Sequence, residues 1–409
     1  MSGVPDRSAL MHTYAEPTVT FVRGTGSELW DTDGKRYLDF LSGLAVTGLG
    51  HAHPAVAEAV AEQARTLLHV SNLFGNAVGP EVAVTLDRLV GGGTDRAGGQ
   101  VFFTNSGAEA NECALKLARK WAGPGRYVVV STWDAFHGRT LATLHATGQP
   151  EKHAPFAPMP EGFEHVAYDD LAALESACDP ARVAAVLLEP IQGESGVIAP
   201  SSDYLAGVRE MCTERGILLM VDEIQTGLGR TGRWFAFQHM GIEPDVVTMA
   251  KALGNGVPIG ACWARAEVAA AFSPGDHGST FGGQPLAAAA ARATLAVMEA
   301  EDVPARARRA GAKLRAGLEV LPGVTGVRGA GLLLGVALDH QRAKDVVGAA
   351  LDRGLVVNAP RPDTIRLAPS LLVSDDEIEE GLALLSSALA DITPTAIPGG
   401  AGPRGVTAS

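Results

Sequence analysis

Basic residues, cysteines and long apolar runs are all scarce in this chain, and each scarcity narrows what it can be. Lys and Arg number 33 against 46 Asp and Glu, a formal charge of −13. That field repels phosphate backbones and anionic lipid, so neither nucleic acid nor a membrane is an expected partner. The four cysteines, at 113, 178, 212 and 262, stand far apart, with no CxxC pair to suggest a redox motif or a zinc site. Reduced thiols in a cytoplasmic protein are the expectation. No uncharged apolar run reaches the roughly 18 residues that span a bilayer, and the opening MSGVPDRSALMHTYAEP lacks the apolar core of a signal peptide. A GxSxG elbow and a P-loop are missing too, which leaves serine hydrolase and P-loop NTPase without support.

What is present suits a well-buried globular protein. Hydrophobic residues make up 46% and charged residues 19% of 409, too apolar for intrinsic disorder and long enough for two or three structural units. TVTFVRG and SELWDTDGKRYLDF read as strands, the second broken by a turn at Thr32-Asp33-Gly34. From Pro54 the apolar residues recur at three and four residue spacing, a helical pattern. Between about 100 and 265 short continuous apolar runs (QVFFTN, RYVVVS, VAAVLLEP, ILLMVDE, DVVTMA, PIGACWA) alternate with helical stretches. Continuous apolar strands imply a sheet covered on both faces, so an α/β unit with a mostly parallel sheet is expected. Binding sites in such sheets lie at the carboxyl ends of the strands, and those ends hold Asn105, Glu189, Asp222 and Lys251. Beyond Gly283, two long helices, the strand GLLLGVAL, another helix, LVVNA, TIRLAP and a last helix near 374–391 suggest a second, α+β domain. The tail TPTAIPGGAGPRGVTAS reads as disordered.

Two motifs mislead. Gly227 to Gly232 matches GxGxxG after a strand, but Asp222 and Glu223 would face a pyrophosphate there, so the glycines are read as turn formers. His51-Ala-His53 has neither an HExxH context nor a carboxylate-flanked partner, and is read as a loop feature rather than a metal pair.

A different group of residues points to chemistry. A lysine at the mouth of a parallel sheet, flanked by apolar residues as Lys251 is, can be desolvated and nucleophilic. Asp222 ends the strand before it. Pyridoxal phosphate works as an electron sink only while its ring nitrogen stays protonated, and a buried carboxylate holds that proton. Ser106-Gly107-Ala108-Glu109 is a capping box on its bland reading and a phosphate cup at a helix N-terminus on its functional one, and both can hold together. Gly278 to Gly283 offers further hydroxyls and amides.

In chain order, NSGAEANE (105–112), FHGRT (136–140), EPIQGESGV (189–197), VDEIQTGLGRTG (221–232), AKALGNGVPIGA (250–261), STFGGQP (279–285) and IRLAP (365–369) resemble the motif set of class III, subgroup II, pyridoxal-phosphate aminotransferases. The resemblance spans about residues 14 to 390 and implies a fold type I α/β transferase. Its expected parts are an N-terminal arm and strands (1–50), a large cofactor-binding domain (51–283), a small α+β domain (284–392) and the tail (393–409). A homodimer with shared active sites is implied as well. Carried over residue by residue, Lys251 bonds the cofactor and carries protons, Asp222 holds the pyridine nitrogen, Gln225 lies beside the phenolic oxygen and Phe136 stacks on the ring. Ser106, Gly107 and Ala108 cup the phosphate, which Thr280 reaches from the neighbouring subunit. His137 is given no proton-transfer role.

Arg366 would take the α-carboxylate of glutamate through its planar fork, and Arg139 the carboxylate remote from the reacting amine. Glu194 would pair with Arg366 while an ω-amine donor occupies the site and swing away for glutamate, because an unpaired desolvated guanidinium is unfavourable. Several segments, among them LGHAHPAV, TGQPEKHAPFAP and VRGAGLLLGVAL, are most similar to the branch acting on N-acetyl-L-ornithine with 2-oxoglutarate, which gives N-acetyl-L-glutamate 5-semialdehyde and glutamate in arginine biosynthesis. Leu44, where ornithine enzymes commonly carry tyrosine, favours the N-acyl substrate. Departures from the pattern are Thr47, the 75–80 stretch GNAVGP, Asn255 and Gln284. Another ω-amine donor, and a non-catalytic binding protein on the same fold, are the competing readings.

Overall fold

The computed structural model describes residues 8–93 and 97–392, so the expected disordered tail lies outside the described residues. Strands β1 (Phe21–Thr25), β2 (Glu28–Asp31) and β3 (Arg36–Asp39) form an antiparallel ribbon. Asp31 Oδ1 turns the chain between the last two by accepting the Asp33 and Lys35 amides, each at 2.9 Å.

The central sheet holds β4 (Gly99–Thr104), β5 (Val128–Thr132), β6 (Phe163–Val166), β7 (Val183–Leu188), β8 (Leu218–Asp222), β9 (Val246–Met249) and β10 (Gly260–Arg265), in the order β4-β10-β9-β8-β7-β5-β6. Only β10 runs against its neighbours. Successive side chains on a strand point to opposite faces, and here both faces are dry. Val128 and Val130, Val186 and Leu188, and Leu219 and Val221 enter one hydrophobic cluster; Val129, Leu187 and Met220 enter the other, against the helix Gly107–Ala122. That is why these strands read as unbroken apolar runs. All four cysteines are buried and free.

A second antiparallel sheet comprises β11 (Val324–Ala330), β12 (Leu333–Leu338), β14 (Asn358–Arg361) and β15 (Thr364–Leu367), ordered β11-β12-β15-β14, while β13 (Leu355–Val356) pairs in parallel with β3. The sequence reading found GLLLGVAL but missed β11, whose VTGVRGA carries two glycines and little apolar surface. LVVNA supplies β13 and the start of β14, and the chain there passes between two sheets.

The GxGxxG look-alike forms part of the joint between these layers. Arg230 is buried, donating through Nη1 to the Leu332 and Pro369 carbonyls at 3.1 and 2.5 Å, and its own carbonyl accepts the Leu332 amide at 3.0 Å. His51 Nε2 lies 2.7 Å from Asp39 Oδ2, and among the described residues no group of three or more His, Cys, Asp or Glu side chains is arranged to hold a metal.

Leu187, fully buried at the middle of the central sheet, gives the simplest test of this layering. Leu187→Ala is expected to lower unfolding free energy by about 2–5 kcal/mol, read from urea melts.

Candidate active site

Loops at the carboxyl ends of β4, β5, β7, β8 and β9 meet in a cleft of about 440 Å³. Its lining brings together Ser106, Gly107, Ala108, Phe136, Arg139, Glu194, Asp222, Gln225 and Lys251. Arg366 lies behind this lining and touches it through Glu194 and Gln225. Leu44 and Thr280 do not line the cleft; both are exposed.

At one end the helix Gly107–Ala122 begins. Ser106 caps it, its Oγ accepting the Glu109 amide at 3.2 Å. The expected capping box is only half formed, because the Glu109 carboxylate reaches past the cap to the Asn105 amide and side chain, at 2.9 and 2.8 Å. The first-turn amides have no intrahelical acceptor and sit at the positive end of the helix dipole.

Asp222 ends β8 only 4% exposed. Its Oδ2 accepts from Asn111 Nδ2 at 2.7 Å and lies 2.8 Å from His137 Nδ1; its Oδ1 accepts the Ile224 amide at 3.0 Å. Asn111 is fixed in turn by Thr248, whose hydroxyl donates to Asn111 Oδ1 at 2.8 Å, and by the His137 carbonyl at 2.8 Å. The carboxyl is therefore oriented from three directions and keeps acceptor capacity at Oδ1.

Lys251 follows β9 with φ +42, a left-handed backbone that a non-glycine residue adopts at a cost of roughly 1–3 kcal/mol. The turn it opens ends at Asn255, also left-handed, whose side chain bonds the Leu49 amide at 2.8 Å and the Gly50 carbonyl at 3.1 Å. Asparagine tolerates that conformation, which accounts for the departure at this position. Burial draws the Lys251 amine below the usual lysine range, and Arg366 adds to this against the opposing pull of Glu194 and Asp222.

Arg366, on β15, is 1% exposed. Its Nη1 donates to Glu194 Oε1 (2.7 Å), the Gly193 carbonyl (3.1 Å) and Gln225 Oε1 (3.3 Å), and its Nε to Asn358 Oδ1 (3.1 Å), while the buried Nη2 has no partner. A Cβ at Gly193 would fall 1.8 Å from Gln225 Oε1, so a larger residue there would displace the Gln225 side chain from Arg366. Burial alone would raise the Glu194 carboxyl; the Arg366 charge and hydrogen bond outweigh it and hold the group below the usual carboxylate range.

A model of the "Aminotransferase class-III" family matches residues 10–389. The chain belongs to the class-III aminotransferases. Similar relatives include the acetylornithine aminotransferases of Corynebacterium efficiens (50% identical, covering 94% of this chain and 95% of the relative) and Streptomyces coelicolor (48%, covering 95% and 96%). Among solved structures, the ornithine aminotransferase of Toxoplasma gondii superposes with TM-score 0.89 at 38% identity, covering 95% of this chain and 94% of that one. The N-acetylornithine aminotransferase of Stenotrophomonas maltophilia gives 0.80 at 37%, covering 92% and 97%.

Class-III aminotransferases use pyridoxal phosphate, and the cleft of this aminotransferase suits it. Orphan amides behind Ser106 fit a phosphate, a fixed carboxyl at Asp222 fits a protonated ring nitrogen, and a desolvated amine at Lys251 stands in the same cleft. The close packing of the phosphate end leaves no slack: a Cβ on Gly107 would meet Ile224 at 2.8 Å.

Several residues escaped the sequence reading. Glu189 was noticed only as a strand end, yet its Oε2 accepts the Phe136 amide at 3.0 Å and its Oε1 the Gly193 amide at 3.4 Å. Lys152 Nζ sits 5.4 Å from the Phe136 ring centre, and Arg139 Cζ lies 5.6 Å from the same ring centre. Asn111 and Arg361 bond partners distant in sequence, Asp222 and the Ser195 carbonyl, and Asn358 bonds Arg366 across a hairpin, contacts that local pattern does not reveal.

Burial pushes the Glu223 carboxyl up to about 7 despite hydrogen bonds from Thr226 and the Phe237 amide; Glu189 is raised to about 7 by the same cause. Below about 4.5 both folded and unfolded chains hold these protons; between 4.5 and about 7 only the unfolded chain releases them. The folded state therefore loses stability as pH rises through that window. Glu223→Gln is expected to flatten part of this slope, measured as urea midpoints between about pH 5 and pH 8.

Proposed function

We propose that this aminotransferase moves the δ-amino group of N-acetyl-L-ornithine to 2-oxoglutarate, yielding N-acetyl-L-glutamate 5-semialdehyde and L-glutamate. The observation that carries this reading is the Glu194–Arg366 pair beside Lys251, with one guanidinium nitrogen left free. A donor whose amine ends an apolar stem needs Arg366 neutralised; a donor whose amine sits next to a carboxylate needs it open. One buried cation with an exchangeable counter-ion serves both, since breaking a buried pair without a substitute is strongly unfavourable. The acetylornithine aminotransferases among the relatives support the choice of donor.

In this reading Ser106, Gly107 and Ala108 hold the cofactor phosphate, Asp222 its ring nitrogen, Gln225 its phenolic oxygen, and Phe136 stacks on the ring. The cofactor, when bound, supplies the electron sink that makes the substrate's C–H acidic. Lys251 Nζ would hold the resting cofactor and, when free, would take the proton from the substrate carbon that bears the reacting amine. Burial draws its proton affinity down, which suits it to act as a base. Phe136 is steadied by Glu189, and Arg139, stacked against Phe136 at 5.6 Å, holds the carboxylate far from the reacting amine.

The reading includes a homodimer in which the partner's phosphate takes a bond from Thr280. Exposed apolar residues support a covered rim there: Leu73 at 85%, Phe74 at 70%, Phe281 at 64% and Leu44 at 38% exposure. It also includes a large cofactor-binding domain (51–283), with an N-terminal segment (1–50) and a small domain (284–392), in a cytoplasmic enzyme. No described helix is long and apolar enough to cross a membrane. The ornithine aminotransferase of similar fold keeps ornithine as a second candidate donor.

A panel of amino donors with 2-oxoglutarate tests the substrate; acetylornithine is expected to give the highest kcat/KM, and a preference for ornithine or 4-aminobutyrate would overturn it. Lys251→Ala should lower transamination by at least about a hundredfold while still retaining cofactor noncovalently, and borohydride reduction should label Lys251 and no other lysine. Glu194→Ala should slow the half-reaction with acetylornithine and spare or speed that with glutamate, each followed separately by stopped flow.

A further inference from the structure

Glu194 stands at the tip of a loop pinched at its base. The Gln192 and Ile198 backbones exchange two hydrogen bonds, at 2.9 and 3.0 Å, and Gln192 Nε2 anchors that base to Thr132 Oγ1 and the Trp133 carbonyl. Beyond the tip, two carbonyls are gripped from the second sheet. Arg361 Nε donates to the Ser195 carbonyl at 3.1 Å, and Arg328 Nη2 to the Gly196 carbonyl at 3.1 Å and to Thr364 Oγ1 at 3.0 Å. Loop and arginines lie in contact: Gly196 has φ +107, a backbone that favours glycine, and a Cβ there would come within 3.3 Å of Arg328 Nη2 and 3.4 Å of Arg361 Cγ. Arg361 Nη2 also lies 3.1 Å from Asp134 Oδ1, two residues before Phe136.

The hairpin that carries Arg361 carries Arg366 as well. β14 and β15 are paired with Asn358 opposite Arg366 and Arg361 opposite Thr364, and Asn358 Oδ1 accepts a hydrogen bond from Arg366 Nε. One rigid hairpin thus holds the buried cation at one end and, at the other, the backbone of the residue next to its counter-ion. A loop with its Ser195 carbonyl released would let Glu194 spend less time against Arg366.

From this arrangement we infer that Arg361 is a positioning residue for substrate choice: its bond to the Ser195 carbonyl keeps Glu194 within reach of Arg366 and biases the enzyme toward donors whose amine is remote from a carboxylate. The inference rests on the Glu194–Arg366 reading given above. Its rival is a plain surface ion pair between Arg361 and Asp134, with side chains 43% and 58% exposed, which would contribute little.

The test uses the holoenzyme and stopped-flow half-reactions with acetylornithine and with glutamate. Arg361→Ala should slow the acetylornithine half-reaction about tenfold, as expected for loss of one charged hydrogen bond, and leave the glutamate half-reaction within about twofold. Arg361→Lys, which can still donate to the carbonyl, should recover much of the loss, and Asp134→Asn, which removes only the ion pair, should leave the ratio unchanged. In a Glu194→Ala background Arg361→Ala should add nothing, because its effect passes through Glu194. Equal slowing of both half-reactions, a ratio that moves with Asp134→Asn as much as with Arg361→Ala, or a full further loss in the Glu194→Ala background would each overturn the inference. If Glu194→Ala itself fails to separate the two half-reactions, the switch reading fails. If it separates them and Arg361→Ala does not, only the positioning role fails.

Discussion

The site depends on one carboxyl group that the fold buries and then refuses to leave unpartnered. Asp222 sits at the end of a strand covered on both faces, where an unpaired carboxylate would be strongly disfavoured. Its three donors arrive from three different segments: Asn111 from the helix behind Ser106, His137 from the loop that bears Phe136, and the Ile224 amide from its own turn. Satisfying Asp222 therefore places the helix N-terminus, the aromatic ring and the turn bearing Gln225 relative to one another. The Ser106 end and the Asp222 end of the cleft are set by a single hydrogen-bond cluster, and Thr248 extends that cluster to β9, the strand that delivers Lys251.

Lys251 adds a second constraint of opposite sign. Its backbone is left-handed and its amine desolvated, two unfavourable features at one residue that persist only because the neighbouring structure over-determines them. Asn255 contributes by tying the turn to Leu49 and Gly50, so the N-terminal segment helps to hold the lysine turn in place. The strands of the central sheet carry no such feature: none of their residues has a positive φ, and their apolar side chains fill the two clusters on either face.

Much of this was legible in the sequence because it is local. Unbroken apolar runs announced a sheet covered on both faces, and a polar residue directly after each run marked the carboxyl edge where Asn105, Glu189, Asp222 and Lys251 stand. What stayed hidden is what depends on contacts between distant segments. Nothing in VTGVRGA looks like a strand, because β11 is held by pairing with β12 rather than by apolar alternation. Nothing around Asn111 shows that it bonds Asp222 from 111 residues away. The GLGRTG run looked like a nucleotide loop because glycine spacing reports only where backbone comes close; here what comes close is Gly331, whose Cβ would fall 2.6 Å from the Arg230 carbonyl.

Cofactor geometry and substrate choice are built from different parts of the chain and meet at few points. The cofactor end draws on the central sheet, whereas the Arg366 end draws on the 192–198 loop and the β14–β15 hairpin. Gln225 bridges them through Arg366, and Glu189 does so through the Phe136 and Gly193 amides. A substitution in the hairpin therefore leaves the carboxyl cluster at Asp222 untouched, while one at Glu189 reaches both ends of the cleft at once. The same logic sorts the sequence departures. Asn255 and Gln284 each make side-chain hydrogen bonds to the N-terminal half, the latter to the Val70 amide at 2.9 Å and Asn72 at 3.0 Å, and Asn76 is tied to the Gly283 carbonyl at 3.1 Å. All three lie on the rim that carries Thr280 or on the lysine turn, and none of them bonds a member of the Asp222 cluster.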